Sequence, residues 1–348
     1  MSTPDYRTVH VVTRQAALMT TGENRIMPKM RALFMTIVIG WAFISCGTHS
    51  NNVPRTTATV TSSPYLFFGW GNPPDPVVVM KETGVKAFTL AFILSGNGCD
   101  PAWDGERPLD GDDATQIKRI RDAGGDVVVS MGGSAQEGRK LGEVCPNEQS
   151  LANAYQKVID AYQLKAVDVD IEKGEFKSHE AQDRELGALK ILKQRNPGLK
   201  TTLVFPTERT GPSDLGKRLI RRAHELGANV DVFTIMPFNF GGTDMTRDTI
   251  SATEGLVSEI ADAFAIPIEE AYQKAGISSK NGGLEETVRL ADFHNFLDYA
   301  NDRRLGRFTF WAVNRDRPGD PSHDAGSGIP QRDWDFTRVV ARYRSTEP

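Results

Sequence analysis

An α/β fold closed as a (β/α)8 TIM barrel is what this sequence predicts, and three observations predict it. Short apolar or β-branched runs alternate with longer amphipathic segments from about residue 63 onward. Seven such runs are clear and an eighth is expected, a number that favours a closed barrel over an open doubly wound sheet. No G-x-G-x-x-G follows the first run, so a dinucleotide-binding sheet has no support, and no internal repeat or second domain is visible. The length of 348 residues fits this reading, since a single barrel takes roughly 250.

The elements follow in order. The strand candidates are 65–70, 87–94, 126–131, 166–171, 200–206, 230–238 and 307–313. The eighth should lie between 276 and 286, where Gly276-Ile277-Ser278-Ser279-Lys280 is the best stretch available. Helices are expected over 113–123, 148–162, 179–196, 213–226, 252–275 and 290–301. In the second of these Leu151, Ala154, Tyr155, Val158 and Ile159 recur at helical spacing and make one apolar face.

The N-terminal part reads differently. Residues 1–26 form a polar leader, with Met27 or Met30 as the alternative translation start. Met27-Pro28-Lys29-Met30-Arg31 is a short basic start, an apolar run follows from Ala32 to Ile44, and Ser45-Cys46-Gly47 ends it. Over 27–46 that is the pattern of a secretory signal, and the run is short of the ~20 residues that span a bilayer. Phe43-Ile44-Ser45-Cys46-Gly47 also resembles a bacterial lipobox, which would make Cys46 a lipidation site; plain secretion is the alternative. Residues 47–62 are rich in Ser, Thr, Asn and Pro and read as a flexible linker, leaving 63–348 as the barrel. The expected location is therefore outside the cell or on the membrane through a lipid or signal anchor. In an oxidising compartment Cys99 and Cys145 can form a disulfide; two buried thiols are the alternative.

Composition excludes some classes. Charged residues are 25% and hydrophobic residues 39%, ordinary for a soluble globular chain, and a monomer is expected. The net charge of −4 without a long basic stripe argues against a nucleic-acid partner. The three cysteines include no C-x-x-C pair, and neither a metal nor a cofactor is expected.

The most informative stretch is Ala166-Val167-Asp168-Val169-Asp170-Ile171-Glu172. Its strict alternation puts the aliphatic residues on one face of a strand and Asp168, Asp170 and Glu172 on the other. Three self-repelling acids inside a barrel are costly, and at least one should hold a proton near neutral pH. Such an arrangement suits chemistry in which a carboxylic acid donates a proton beside a carboxylate. An edge strand showing acids to solvent and an Asp/Glu metal site are the competing readings. The other strand ends offer Ser130, Asn239 and Trp311 rather than further acids, which favours a neutral organic substrate.

These residues carry a family resemblance. Asp168-x-Asp170-x-Glu172 resembles the last three acids of the D-x-x-D-x-D-x-E signature of glycoside hydrolase family 18, in its bacterial chitinase-like subgroup. The first acid falls at Lys165 and the usual glycine at Ala166. Ser130-Met131-Gly132-Gly133 is similar to the family's S-x-G-G motif, and Met236-Pro237-Phe238-Asn239-Phe240-Gly241 to its strand-six motif. Phe310-Trp311-Ala312-Val313-Asn314-Arg315-Asp316 is similar to its strand-eight end. Ser63-Pro64-Tyr65, Leu90-Ala91-Phe92 and the stretch from Gly98 to Trp103 also resemble bacterial members, so the resemblance spans about 63–318.

The resemblance implies retaining, substrate-assisted hydrolysis of β-1,4 bonds in an N-acetylglucosamine oligo- or polysaccharide such as chitin. Glu172 would be the acid and then the base. Asp170 would bind the acetamido N–H, and Asp168 would share a proton with Asp170. Trp311, Asn239, Met236 and Ser130 would serve substrate binding, Trp311 by stacking under the sugar and Ser130 by supporting the acids. The strand-six motif normally carries Asp and Tyr, where this chain has Asn239 and Phe240 beside Phe238. Those changes raise a second expectation, a weak or inactive carbohydrate-binding relative on the same barrel.

Overall fold

The computed structural model describes residues 60–284 and 286–344. The leader, the signal, Cys46 and nearly all of the expected linker lie outside those residues. The last part of the linker, Val60–Ser62, is a single 3-10 turn with Thr61 buried and the turn packed against the final strand.

Among the described residues the elements run β1 (Tyr65–Leu66), α1 (Pro76–Thr83), β2 (Ala87–Ser95), β3 (Pro101–Trp103), α2 (Asp112–Asp122), β4 (Asp126–Gly132), α3 (Leu141–Val144) and α4 (Glu148–Tyr162). Then come β5 (Ala166–Asp170), α5 (Lys173–Lys177), α6 (His179–Arg195), β6 (Lys200–Pro206), α7 (Asp214–Leu226) and β7 (Val232–Met236). The chain ends with α8 (Met245–Phe264), α9 (Ile268–Gln273), β8 (Ala275–Lys280), α10 (Leu290–Arg303), β9 (Arg307–Trp311) and α11 (Asp335–Val340). Strands β1, β2 and β4 to β9 pair in that order, each parallel to the next, and β3 adds an antiparallel pair on β2. The parallel strands form a nearly closed barrel: Thr309 Oγ1 on β9 donates to the Ser63 carbonyl just before β1 at 2.7 Å. The expected (β/α)8 architecture is the observed one.

Local chemistry explains the helix boundaries. Asn147, Ser178 and Ser213 each accept a backbone N–H in the first turn of α4, α6 and α7, and left-handed Gly227 closes α7. The single helix expected over 252–275 is corrected to two. It begins earlier, where Asp244 caps α8, and it breaks at left-handed Ala265 and Pro267. Proline lacks the N–H that a helix interior needs and pushes its predecessor out of the helical region. The weak eighth strand is real: Ala275–Lys280 pairs with both β7 and β9.

Two layers of packing result. Aliphatic and aromatic side chains between the barrel and its helices form the large core, including Val167, Val169 and Ile171. Inside the barrel the residues are polar: Ser63, Thr89, Ser130, Asp168, Thr202, Thr234, Arg307 and Thr309 are all fully buried. Gly276 makes room for one of them. A Cβ there would sit 2.8 Å from Arg307 Cβ and 2.7 Å from Thr234 Oγ1. The missing side chain lets the Arg307 side chain occupy the barrel axis.

Candidate active site

The strand β5 brings two acids to the C-terminal end of the barrel, and the β5–α5 junction brings the third. Asp168 lies deepest. Ser130 Oγ donates to its Oδ1 at 2.6 Å, the Tyr65 hydroxyl reaches both oxygens at 3.2 and 3.1 Å, and Arg307 Nη1 pairs with Oδ2. Arg307 is itself fully buried and also donates to Thr89 at 3.1 Å. Asp168 is thus saturated by donors from β1, β4 and β9, and its hydrogen bonds come from these groups rather than from Asp170.

Asp170, two residues along the same face, has different surroundings. It is 3% exposed, and its Oδ1 has no hydrogen-bond partner among the described residues. Burial pushes its carboxyl well above the usual range, and the nearby Glu172, Asp168 and Glu175 push it further, against a smaller opposing effect of Arg307. Glu172 sits at the N-cap of α5 and is only partly exposed. Burial raises its carboxyl too, while Lys140 and Lys173 hold the rise back. The Lys173 ammonium is fixed on the Ser134 carbonyl at the rim, and the buried Lys140 donates to the Glu172 main-chain carbonyl at 2.5 Å.

A cleft of about 610 Å³ opens above these groups and is lined by Asp170 and Glu172 but not by Asp168. Its floor is aromatic. Trp311 lies nearly parallel to Phe92 (7° apart, centroids 5.4 Å) and to Phe67 (13°, 5.0 Å), with Tyr65 tilted against it and Trp70 beyond. A broad apolar face held flat in this way suits the C–H face of a sugar ring. Gly133 permits the close packing beside it. Its φ is +81°, and a Cβ would meet the Phe92 ring at 2.6 Å.

The opposite wall comes from β7 and β8: Met236, Phe238, Asn239, Ser278 and Lys280. The Lys280 ammonium lies 5.9 Å over the Phe238 ring and is half-buried, which lowers its pKa together with the nearby Arg315. The loop after β7 is clamped by Glu286, whose carboxylate accepts from the backbone N–H groups of Phe240, Gly241 and Gly242. Phe240 packs against the core beside this loop and does not line the cleft. At the far rim Asp104 is paired with Arg107, and Arg139 donates to the Asp104 carbonyl.

The structure therefore brings together Asp168, Asp170, Glu172, Trp311, Met236 and Asn239. Ser130 is fully buried beneath the acids, where it donates to Asp168 as a support for them, and it does not line the cleft. Cys99 and Cys145 are joined by a disulfide. Arg307, Tyr65 and Lys140 are the site residues that sequence reasoning missed. Arg307 carried a usable signal: in the run Arg307-Phe308-Thr309-Phe310-Trp311 it alternates onto the same face as Thr309 and Trp311, inside the barrel.

No family model matches the chain. It is 26% identical over 283 residues to a protein of Escherichia coli K12 named a probable bifunctional chitinase/lysozyme, a match that covers 74% of this chain and 31% of that protein. The chain spans between 31% and 52% of the length of the curated relatives it matches. Among solved structures, the catalytic domain of a hyperthermophilic chitinase from Pyrococcus furiosus superposes with a TM-score of 0.75 at 27% identity, over 82% of this chain and 97% of that one. A family 18 chitinase from Pseudoalteromonas aurantia, at 14% identity and a TM-score of 0.55 over 81% of this chain and all of that one, shares the fold. The likeness to the Pyrococcus domain holds in sequence as well as in fold and spans nearly all of it, so the chain is similar to the chitinases of glycoside hydrolase family 18.

Proposed function

We propose that the barrel hydrolyses β-1,4 bonds in N-acetylglucosamine-containing glycans such as chitin, by a retaining mechanism in which the substrate's own acetamido group is the nucleophile. One observation carries the reading. Two adjacent carboxyls of raised pKa, Asp170 and Glu172, face a cleft floored by Trp311, and the Asp170 Oδ1 has no hydrogen-bond partner among the described residues. Relatives named as chitinases support the substrate class.

In this reading the sugar at the cleavage point lies on Trp311, and its acetamido N–H donates to Asp170 Oδ1. That hydrogen bond turns the acetamido oxygen toward the anomeric carbon. Glu172, whose pKa burial raises, gives its proton to the departing glycosidic oxygen as the C–O bond breaks. The acetamido oxygen closes on the anomeric carbon, and Asp170 offsets the positive charge that develops on the ring so formed. Glu172, now a carboxylate, takes a proton from water as the water opens that ring, which restores the acid. Asp168, held by Arg307, Ser130 and Tyr65, fixes the electrostatics beneath Asp170. Activity is expected to fall as pH rises through the elevated pKa of Glu172, because the donor is then lost. We also infer export of the barrel, with Cys46 as a lipid anchor or the 27–46 segment as a cleaved signal.

A second reading, a carbohydrate-binding protein with little turnover, is favoured by the β7 wall, which offers Phe238 and Asn239 and no hydroxyl or carboxylate. Hydrolysis of a fluorogenic chitotriose substrate, wild type beside Glu172→Gln, decides between them. Turnover that falls roughly 10²- to 10⁴-fold in the variant supports the hydrolase with Glu172 as acid. Chitooligosaccharide binding without wild-type turnover favours the second reading.

A further inference from the structure

We propose that Lys140 is a positioning residue for the acid of the reaction, holding the Glu172 main-chain carbonyl from behind the cleft wall and so fixing where the Glu172 side chain points. The inference rests on the reading of Glu172 as proton donor. Lys140 occupies the N-cap position of α3 and is completely buried. Its ammonium donates to the Glu172 carbonyl at 2.5 Å and lies 3.4 Å from a Glu143 oxygen and 3.8 Å from a Glu175 oxygen. Its hydrogen bond goes to the Glu172 carbonyl, and the Glu143 and Glu175 carboxylates stand at ion-pair distance beside it.

A second group of buried acids stands beside Lys140. Glu175 on α5 and Glu185 on α6 are both buried and hydrogen-bonded to each other, and the Tyr155 hydroxyl on α4 donates to Glu185 at 2.8 and 3.0 Å. A hydrogen bond between two carboxyls requires one of them to hold a proton. Burial raises both accordingly, Glu185 to about 7. The α3 backbone passes tightly over the pair: a Cβ on Gly142 would lie 2.0 Å from a Glu175 oxygen and 2.1 Å from a Glu185 oxygen, and Arg184 donates to the Gly142 carbonyl at 2.5 Å. The charged and titratable groups facing this centre are thus Glu143 from α3, Tyr155 from α4, Glu172, Lys173 and Glu175 around α5, and Arg184 and Glu185 from α6. Of these only Glu172 lines the cleft. Lys140 can touch the chemistry only through Glu172, by its hold on the carbonyl and by its positive charge.

Both routes can be read in one experiment on the whole chain, using fluorogenic chitotriose with wild type, Glu172→Gln, Lys140→Met and Lys140→Arg. Lys140→Met is expected to lower kcat roughly ten- to a hundred-fold, as a small misplacement of a catalytic group does, with KM little changed. The alkaline limb of its pH–rate profile should move to higher pH, because the cation that holds the Glu172 carboxyl down is gone. Lys140→Arg, which keeps the charge, should return the limb toward its wild-type position. A limb that stays in place in Lys140→Met, or a loss confined to KM, overturns the assignment, since a merely structural lysine would lower the rate without moving the profile. Turnover by wild type that Glu172→Gln abolishes and Lys140→Met leaves intact overturns the Lys140 role alone. No turnover by wild type overturns both readings. Where Lys140→Met fails to fold, Lys140→Met/Glu175→Gln removes the buried cation and one of its counter-charges together, and the same shift of the limb is required of it.

Discussion

The two walls of the cleft are built to different standards. On the β5 side two of the acids are backed, Asp168 by three donors and Glu172 by a buried lysine on its carbonyl, and the buried Asp170 between them keeps Oδ1 open toward the cleft. On the β7–β8 side the lining is Met236, Phe238, exposed Asn239, Ser278 and the half-buried cation Lys280, and the loop after β7 is fastened by the carboxylates of Glu286 and Asp248. In the proposed mechanism both proton transfer and the hold on the acetamido N–H fall to the first wall. The second wall offers the sugar few polar contacts, so on that reading any shortfall in turnover should come from the β7–β8 side.

Three substitutions break or sharpen that contrast. The largest effect is expected from Arg307→Met, which leaves the Asp168 carboxylate inside the barrel without its counter-charge. Breaking one partner of a buried pair costs about 3–5 kcal/mol, read as a lowered urea midpoint. An unchanged midpoint would mean that Ser130 and Tyr65 suffice and that the β5 wall is less dependent on charge than the geometry implies. Next comes Asp170→Asn, which keeps the shape and removes the charge that answers the developing oxazolinium. The expected loss is roughly 10²- to 10³-fold in kcat with the fold intact by circular dichroism. The smallest effect is expected at the weak wall. Asn239→Asp supplies a carboxylate where the family usually has one and should raise kcat by about threefold, within the range of one exposed charge. A fall in kcat would show that the neutral amide is adapted to this chain's own substrate.

Strict alternation made β5 legible in the sequence, because a period of two fixes which side chains enter the barrel. The same logic applied to 307–311 would have found Arg307, yet an arginine opening an apolar run reads as a strand boundary. Lys140 had no such signal. It lies in a loop rich in Gly, Arg and Glu, and its meaning comes from α5 and α6 packing over it, contacts that no local pattern encodes. Pro267 was visible throughout, and the helix drawn across it followed apolar spacing where backbone chemistry decided. The expectations for 1–59 concern transport and anchoring, which are read by cellular machinery and leave no trace in barrel packing.

The Cys99–Cys145 disulfide joins the turn between β2 and β3 to the last residue of the α3 cap, five positions after Lys140. It closes 46 residues of chain, which in the chain-entropy account disfavours the unfolded state by about 4 kcal/mol. Its second end is also the far end of the short segment that carries the buried ammonium. Thiol chemistry and acid–base chemistry therefore meet in one stretch of backbone, and a change in the redox environment of the chain would be felt first on the side of the barrel where the proton donor is held.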